Sequence, residues 1–238
     1  MALLIGAGTV SCSAPEPGGT ATSPARDPAL RATRVSPVDT RLTWTTAPST
    51  ASGQALEYAT DPKGPYTILG YLPTGVTSYQ HPRLIPETTF YYRLRAYTGP
   101  VSRPVTVDLP PGGPGADDRN DDAVWARPRT VRAEGVATHP LRAAAAAPTA
   151  LKAKVEQANG VSFTWTDHAS DEDGYLLENR PEGSAAYRVV AVLDPDINSF
   201  GLSTLPEEKH ASYRVRAFRY GERSNTVRVT TGKDPGDG

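Results

Sequence analysis

A single cysteine in 238 residues excludes any intrachain disulfide, and with it a small fold stapled by bridges. Charge of one sign is not in excess either. The 25 basic residues face 26 acidic ones, which removes whole-molecule attraction to nucleic acid or anionic lipid. Lysine is scarce, at five of the 25 cations, but the arginines that replace it alternate along segments instead of clustering. They read as codon bias rather than as an RNA-binding patch. No run approaches the ~18–20 apolar residues of a membrane span. A phosphate-cradling glycine loop and a G-x-S-x-G elbow are both missing. His81, His139, His168 and His210 are scattered without metal-ligand spacing, and the sole cysteine, Cys12, lies in an apolar leader segment, which removes Cys–His chemistry. The expectation is a protein that is not an enzyme and needs no cofactor or metal.

What the chain does contain is a duplication. RLTW at Arg41–Trp44 and FYYRLRAY at Phe90–Tyr97 return as SFTW at Ser162–Trp165 and ASYRVRAF at Ala211–Phe218. Trp44 and Trp165 lie 121 residues apart, as do Tyr92 and Tyr213, Glu57 and Glu178, and Tyr66 and Tyr187. One register held this long marks a tandem repeat. Both copies read as short alternating strands punctuated by turn residues, the pattern of a seven-stranded immunoglobulin-like sandwich. In the first copy, strands are expected at 30–35, 40–45, 56–59, 66–72, 78–81, 90–97 and 105–108. Turn signals such as Ser36-Pro37, Pro73-Thr74-Gly75 and Thr98-Gly99-Pro100 fall between them.

Each copy resembles a fibronectin type III domain of the kind found in bacterial extracellular proteins. The resemblance rests on Trp44 and Trp165, on the segment Thr166–Arg180, and on the L-x-P-x-T-x-F-x-Y-x-L-x-A run at Leu84–Ala96. It implies an all-β chain divided into residues 28–110 and 148–232, with a flexible Pro/Gly/Ala-rich spacer at 111–147 and a tail at 233–238. The family's corner tyrosine is replaced by Phe90 and Ala211, so its hydroxyl-to-backbone bond is expected to be absent from both copies, and the second copy is expected to melt first. Residues 1–27 resemble a bacterial lipoprotein signal remnant and tether: the apolar Met1–Val10, then Ser11-Cys12, then a Ser/Ala/Pro/Gly/Thr stretch. That likeness makes Cys12 the lipidation site and places the protein on the outside of a bacterial membrane; separately, a monomer is expected.

Period two turns Tyr92, Leu94 and Ala96 inward and Tyr91, Arg93 and Arg95 outward, and the same holds for Arg214 and Arg216. Outward Glu57 and Glu178 on the neighbouring strand are the natural partners of these arginines. The alternative is an anion-binding face, extended by arginines 180, 188, 219, 223 and 228. Exposed Tyr91, with Tyr71 and Tyr220, is the candidate for stacking on sugar rings or anchoring a protein. Trp125, inside the spacer, is a further candidate contact or a locally packed side chain. The acidic run Asp167, Asp171, Glu172 and Asp173 lacks the alternate-residue spacing of a calcium loop and reads as a turn. Taken together the residues suggest binding or scaffolding outside the cell. The partner is an envelope or extracellular protein, with cell-wall polysaccharide or a passive spacer role as alternatives.

Overall fold

The computed structural model describes residues 29–110, 124–131 and 135–233. Cys12 with its tether and the spacer aspartates Asp117, Asp118, Asp121 and Asp122 lie outside the described residues. Fourteen strands carry the fold, and the described residues form no α-helix. They are β1 (Arg31–Arg34), β2 (Thr40–Thr43), β3 (Gly53–Ala59), β4 (Thr67–Leu72), β5 (Ser78–His81), β6 (Thr89–Thr98) and β7 (Val105–Asp108), followed by β8 (Thr149–Gln157), β9 (Gly160–Thr166), β10 (Gly174–Pro181), β11 (Arg188–Leu193), β12 (Ser199–Ser203), β13 (His210–Arg223) and β14 (Val227–Thr230). The alternation read from sequence is the alternation of burial. In β6, Phe90, Tyr92 and Leu94 are buried, while Tyr91, Arg93 and Arg95 point to the other face.

Two separate cores result. Leu30, Leu42, Trp44, Leu56, Leu84, Phe90, Tyr92 and Leu94 fill the first sandwich. Leu151, Val161, Phe163, Trp165, Tyr175, Leu177, Tyr213 and Val215 fill the second. One layer of each is a three-stranded sheet, β1-β2-β5 or β12-β9-β8. The other layers are continuous, because the order β11-β10-β13-β6-β3-β4 joins both halves through β13 and β6.

The joint arises because each repeat gives its last strand to the other. A turn at Thr98-Gly99-Pro100 would have returned β7 to β6. Instead the chain runs on, and β7 pairs with β13, Val105 opposite Tyr213 and Asp108 opposite His210. Reciprocally, β14 pairs with β6, Val227 opposite Tyr92 and Thr230 opposite Thr89. Val107 and Leu109, written in the first repeat, are thus buried in the second core, while Val227 and Val229 pack on the first. Fully burying one such side chain contributes about 1.5–3 kcal/mol, so neither sandwich is complete without the other. The serines at the two crossings hold the ladder together. The Ser102 amide donates to the Val215 carbonyl and its Oγ accepts from the Val215 amide, while Ser224 does the same with Leu94.

The division of the sequence at residue 110 therefore differs from the division into sandwiches. The described spacer also departs from a flexible coil. The Arg129 amide donates to the Ser199 carbonyl and the Ser199 amide donates back to the Arg129 carbonyl, which adds a short extra edge to β12. Asn198 closes this edge through both backbone groups of Val131. Two residues after Ala211, the Tyr213 hydroxyl makes a backbone bond of its own, donating to the Glu208 carbonyl at 3.3 Å.

Both outer segments of the described chain sit on the first sandwich. Asn225 accepts from the Leu30 amide and donates to its carbonyl, and Arg34 reaches the Thr230 carbonyl. Farther along, the Gly232 amide donates to the Pro37 carbonyl and the Glu87 amide donates to the Gly232 carbonyl. β1 and β14 therefore run side by side in the same direction.

Candidate functional site

The face of the long sheet that turns away from the cores carries the charged candidates, paired by register. Glu57 lies opposite Arg93 and Glu178 lies opposite Arg214. Glu57 takes Arg93 Nε on Oε2 at 2.5 Å and Arg95 Nη2 on Oε1. Glu178 takes Arg214 Nε at 2.6 Å and Arg216 Nε at 2.8 Å. Tyrosine rings stack on three of the four guanidiniums: Tyr66 under Arg93 at 3.6 Å, Tyr220 under Arg95 at 3.9 Å and Tyr187 under Arg214 at 3.8 Å. Arg216 instead crosses the joint, donating to the Gly99 carbonyl at 2.7 Å and to Ser52 Oγ at 3.1 Å.

These groups do not face open water. The end strands of the long sheet, β4 and β11, come into contact, so the sheet curls over its own face. Enclosed there is a third cluster of buried Tyr97, Leu176 and Phe218, with Tyr71, Val189 and Tyr220 packed against it. Tyr97 lies edge-on to Tyr71 and to Phe218, and the Tyr71 and Tyr220 hydroxyls meet in a short hydrogen bond. Burial and, second to it, the nearby Glu178 carboxylate push the Tyr97 phenol up to about 12. Each repeat thus places an aromatic beside the other repeat's ion cluster: Tyr97 beside Glu178, and Tyr220 beside Arg95. Each carboxylate serves two guanidiniums, so each cluster keeps a net positive charge, but burial and stacking leave these arginines little open surface for an external anion. The arrangement is a polar joint between the halves. Period-two reasoning found the right faces and the right pairs, but nothing in either strand says that the faces close over one another.

Tyr91 is half-buried, at the register position between Ala59 and Arg228 of the donated strand. Trp125 is packed inward. Its ring lies on Gly160 of β9 and Gly201 of β12, both so close that a Cβ would overlap it. Those two glycines inside strands were the sequence signal for a close approach. Gly201→Ala should therefore displace Trp125 and loosen the 124–131 edge. The expected readouts are a red shift of tryptophan emission and faster exchange of the Arg129 and Ser199 amides. Unchanged exchange at both amides would refute this docking.

The acidic run is bonded as a turn. Asp167 accepts from the Ala169 amide and the Tyr175 hydroxyl, Asp171 from the Leu141 amide and Arg219, and Asp173 from the Tyr220 amide. Asp167, Glu172 and Asp196 can bring one carboxylate oxygen each within 4.8 Å of the others. Burial first, then the Asp167 and Asp196 charges, raise the Glu172 pKa above its ordinary value. A raised carboxyl pKa means that the folded state holds the proton more tightly, so Glu172 costs stability as pH rises above 4.5 through the folded value. Glu172→Gln should accordingly raise the melting temperature at pH 7, by an amount equivalent to under ~1 kcal/mol. Below about pH 4, where both states hold the proton, the two proteins should melt together. A gain that is the same at both pH values would refute the assignment.

A groove of mixed polar and apolar lining lies elsewhere, at the far end of the second sandwich. It measures about 380 Å³ and is lined by Thr106, Asp108, Arg180, the Pro181–Ser184 turn, His210 and Ser212. Asp108 of the donated strand accepts from His210 at 3.0 Å, so the exchange supplies Thr106 and Asp108 to the lining.

No protein-family profile matches the chain, and no curated protein matches it. Solved structures do. A two-domain fibronectin type III segment of chicken tenascin is similar at 16% identity over 87% of this chain and 99% of that one, with a TM-score of 0.27. An Fn3-like protein from Clostridium thermocellum is similar at 29% identity over 32% of this chain and 77% of that one, also at a TM-score of 0.27. The fn3 domain of human collagen alpha-1(XX) is similar at 22% identity over 33% and 76% of the respective chains, with a TM-score of 0.27. The likeness is one of architecture alone. The all-β sandwich itself is carried by the strands and cores described above.

Proposed function

We propose that this chain is a non-catalytic binding and scaffold module displayed outside the cytoplasm, held at a bacterial membrane through a lipid on Cys12. One observation carries the binding part. The two repeats consume their charged faces on each other, whereas the groove at the end of the second sandwich stays open. Its lining includes charged groups of both signs, with Arg180 exposed beside the Asp108–His210 pair. Such a surface fits a protein partner carrying both charges, and binding should weaken with salt.

The test uses the full chain in two assays at low and high salt: capture of envelope proteins, and co-sedimentation with cell-wall sacculi and insoluble polysaccharide. Salt-sensitive capture that is lost in Arg180→Ala supports the reading. Saturable, salt-tolerant pelleting would move the function to glycan recognition. Intact mass of protein from a bacterial host tests the anchor: diacylglycerol on Cys12 supports it, and an unmodified Cys12 with Met1 retained removes it.

A further inference from the structure

The two donated strands are nearly the same strand. Val105-Thr106-Val107 and Val227-Arg228-Val229 would fill inward positions equally well on either acceptor. The residues C-terminal to these segments, and the acceptor sites that receive them, must therefore select the exchange. At the next inward position the first repeat has Leu109 and the second has Thr231, and their sites differ to match. Leu109 is 2% exposed in the apolar second core. Thr231 is 3% exposed and fully bonded, its Oγ accepting from the Thr88 amide at 2.9 Å and donating to the Ile85 carbonyl at 2.7 Å. One position earlier the match recurs: Asp108 meets His210, and Thr230 meets Thr89 at 3.0 Å.

In a self-closed chain the buried matches fail. Leu109 would stand at the Thr88 amide and Ile85 carbonyl with nothing to bond them, and Thr231 would carry a hydroxyl into an apolar core. A buried polar group without a partner is costly, whereas the Val positions are indifferent. Asp108 would face Thr89, and His210 would face Thr230.

We propose that the end residues of the last strands are an address, so that each sandwich edge docks the other repeat's strand and rejects its own. The partner the edge fits is thus a β7 or β14 strand of the opposite repeat, from the same chain or from a second copy of it.

Cysteine pairs read the address directly. With Cys12→Ser to remove the one native thiol, Thr106→Cys/Ser212→Cys sits at a register pair of the exchanged form. Thr106→Cys/Tyr91→Cys would become a pair only if the strand returned to its own repeat, because Tyr91 is the repeat equivalent of Ser212. Arg228→Cys tested with Tyr91→Cys and with Ser212→Cys gives the same contrast for the other strand. After unfolding and refolding, the exchanged pairs should oxidise to completion, with the self-closed pairs below ~10%, the scale of a minor conformer. A cross-link running as a covalent dimer still obeys the address if it joins opposite repeats.

Reciprocal swapping of the ends (Asp108→Thr, Leu109→Thr, Thr230→Asp, Thr231→Leu) should invert the pattern and favour the self-closed pairs. Should that variant fail to fold, the four pairs in the native background decide alone. Equal oxidation of self-closed and exchanged pairs there, or an unchanged pattern in a folded swapped variant, overturns the proposal.

Discussion

Glu178→Ala is expected to lower the unfolding free energy by about 3 kcal/mol, because it strands two cations in the joint between the halves. The carboxylate side chain is 5% exposed and is the shared acceptor for Arg214 and Arg216, whose side chains are 26% and 9% exposed. Partial exposure of Arg214 keeps the loss at the lower end of the usual range for a broken buried pair. Arg216 adds a second route, since it also ties down the Gly99 carbonyl and Ser52. Denaturant titration reads the effect. A loss under ~1 kcal/mol would mean that the cluster behaves as a surface pair and that the joint is open to water. A triple replacement, Glu178→Leu with Arg214→Met and Arg216→Met, should recover part of the loss, because an apolar joint no longer buries uncompensated charge. Recovery stays incomplete for want of the Gly99 and Ser52 bonds.

Gly99→Ala should cost as much or more, and it should do so at the crossing itself. Gly99 has φ +151°, a region that side chains rarely adopt, and a Cβ there would overlap the Ala217 carbonyl of the neighbouring strand β13. Strain of this kind costs about 1–3 kcal/mol before the overlap is counted, and the overlap is with backbone that cannot rotate away. The two crossings lie against each other, so pushing one aside disturbs both donated strands. Calorimetry is the informative measurement. The parent should unfold in one cooperative transition, since each core contains residues from both repeats, and Gly99→Ala should lower and broaden it. Gly75→Ala is the control: a Cβ there meets nothing within 4 Å, and little change is expected. Two well-separated transitions in the parent would contradict mutual completion.

How far the sequence reveals this molecule depends on range. Strand positions were legible, since alternation at Phe90–Leu94 and turn residues at Ser36-Pro37 are local signals. The pairing of Glu57 with Arg93 was legible too, because register within a sandwich follows from the core. Exchange was not, for Thr98-Gly99-Pro100 supports a reversal or a straight crossing equally well, and Val105 and Val227 fit either edge. The outcome is selected by the contrast between Leu109 and Thr231, which means something only once the acceptor sites around them are known. The closed joint escaped for the same reason. Alternation says which way Arg95 points but not what lies beyond it. The backbone bond of Tyr213 was missed because alternation turns that side chain inward without saying what its hydroxyl meets.

The bonds from Asn225 to Leu30 and from Gly232 to Pro37 set how the protein answers tension. A pull between the polypeptide entering at Ala29 and that leaving at Lys233 passes through β1 and β14 and into the first sandwich alone. Because these strands lie side by side in one direction, with the entry at one end and the exit at the other, the load shears them along their length. The ladders of β1 on β2 and of β14 on β6 then resist along their whole length instead of opening one bond at a time. The second sandwich is off this line of force and stays unloaded until β14 is stripped from β6. To a pull applied at Ala29 and Lys233, the described chain offers the length of one strand, and its second sandwich travels as passenger.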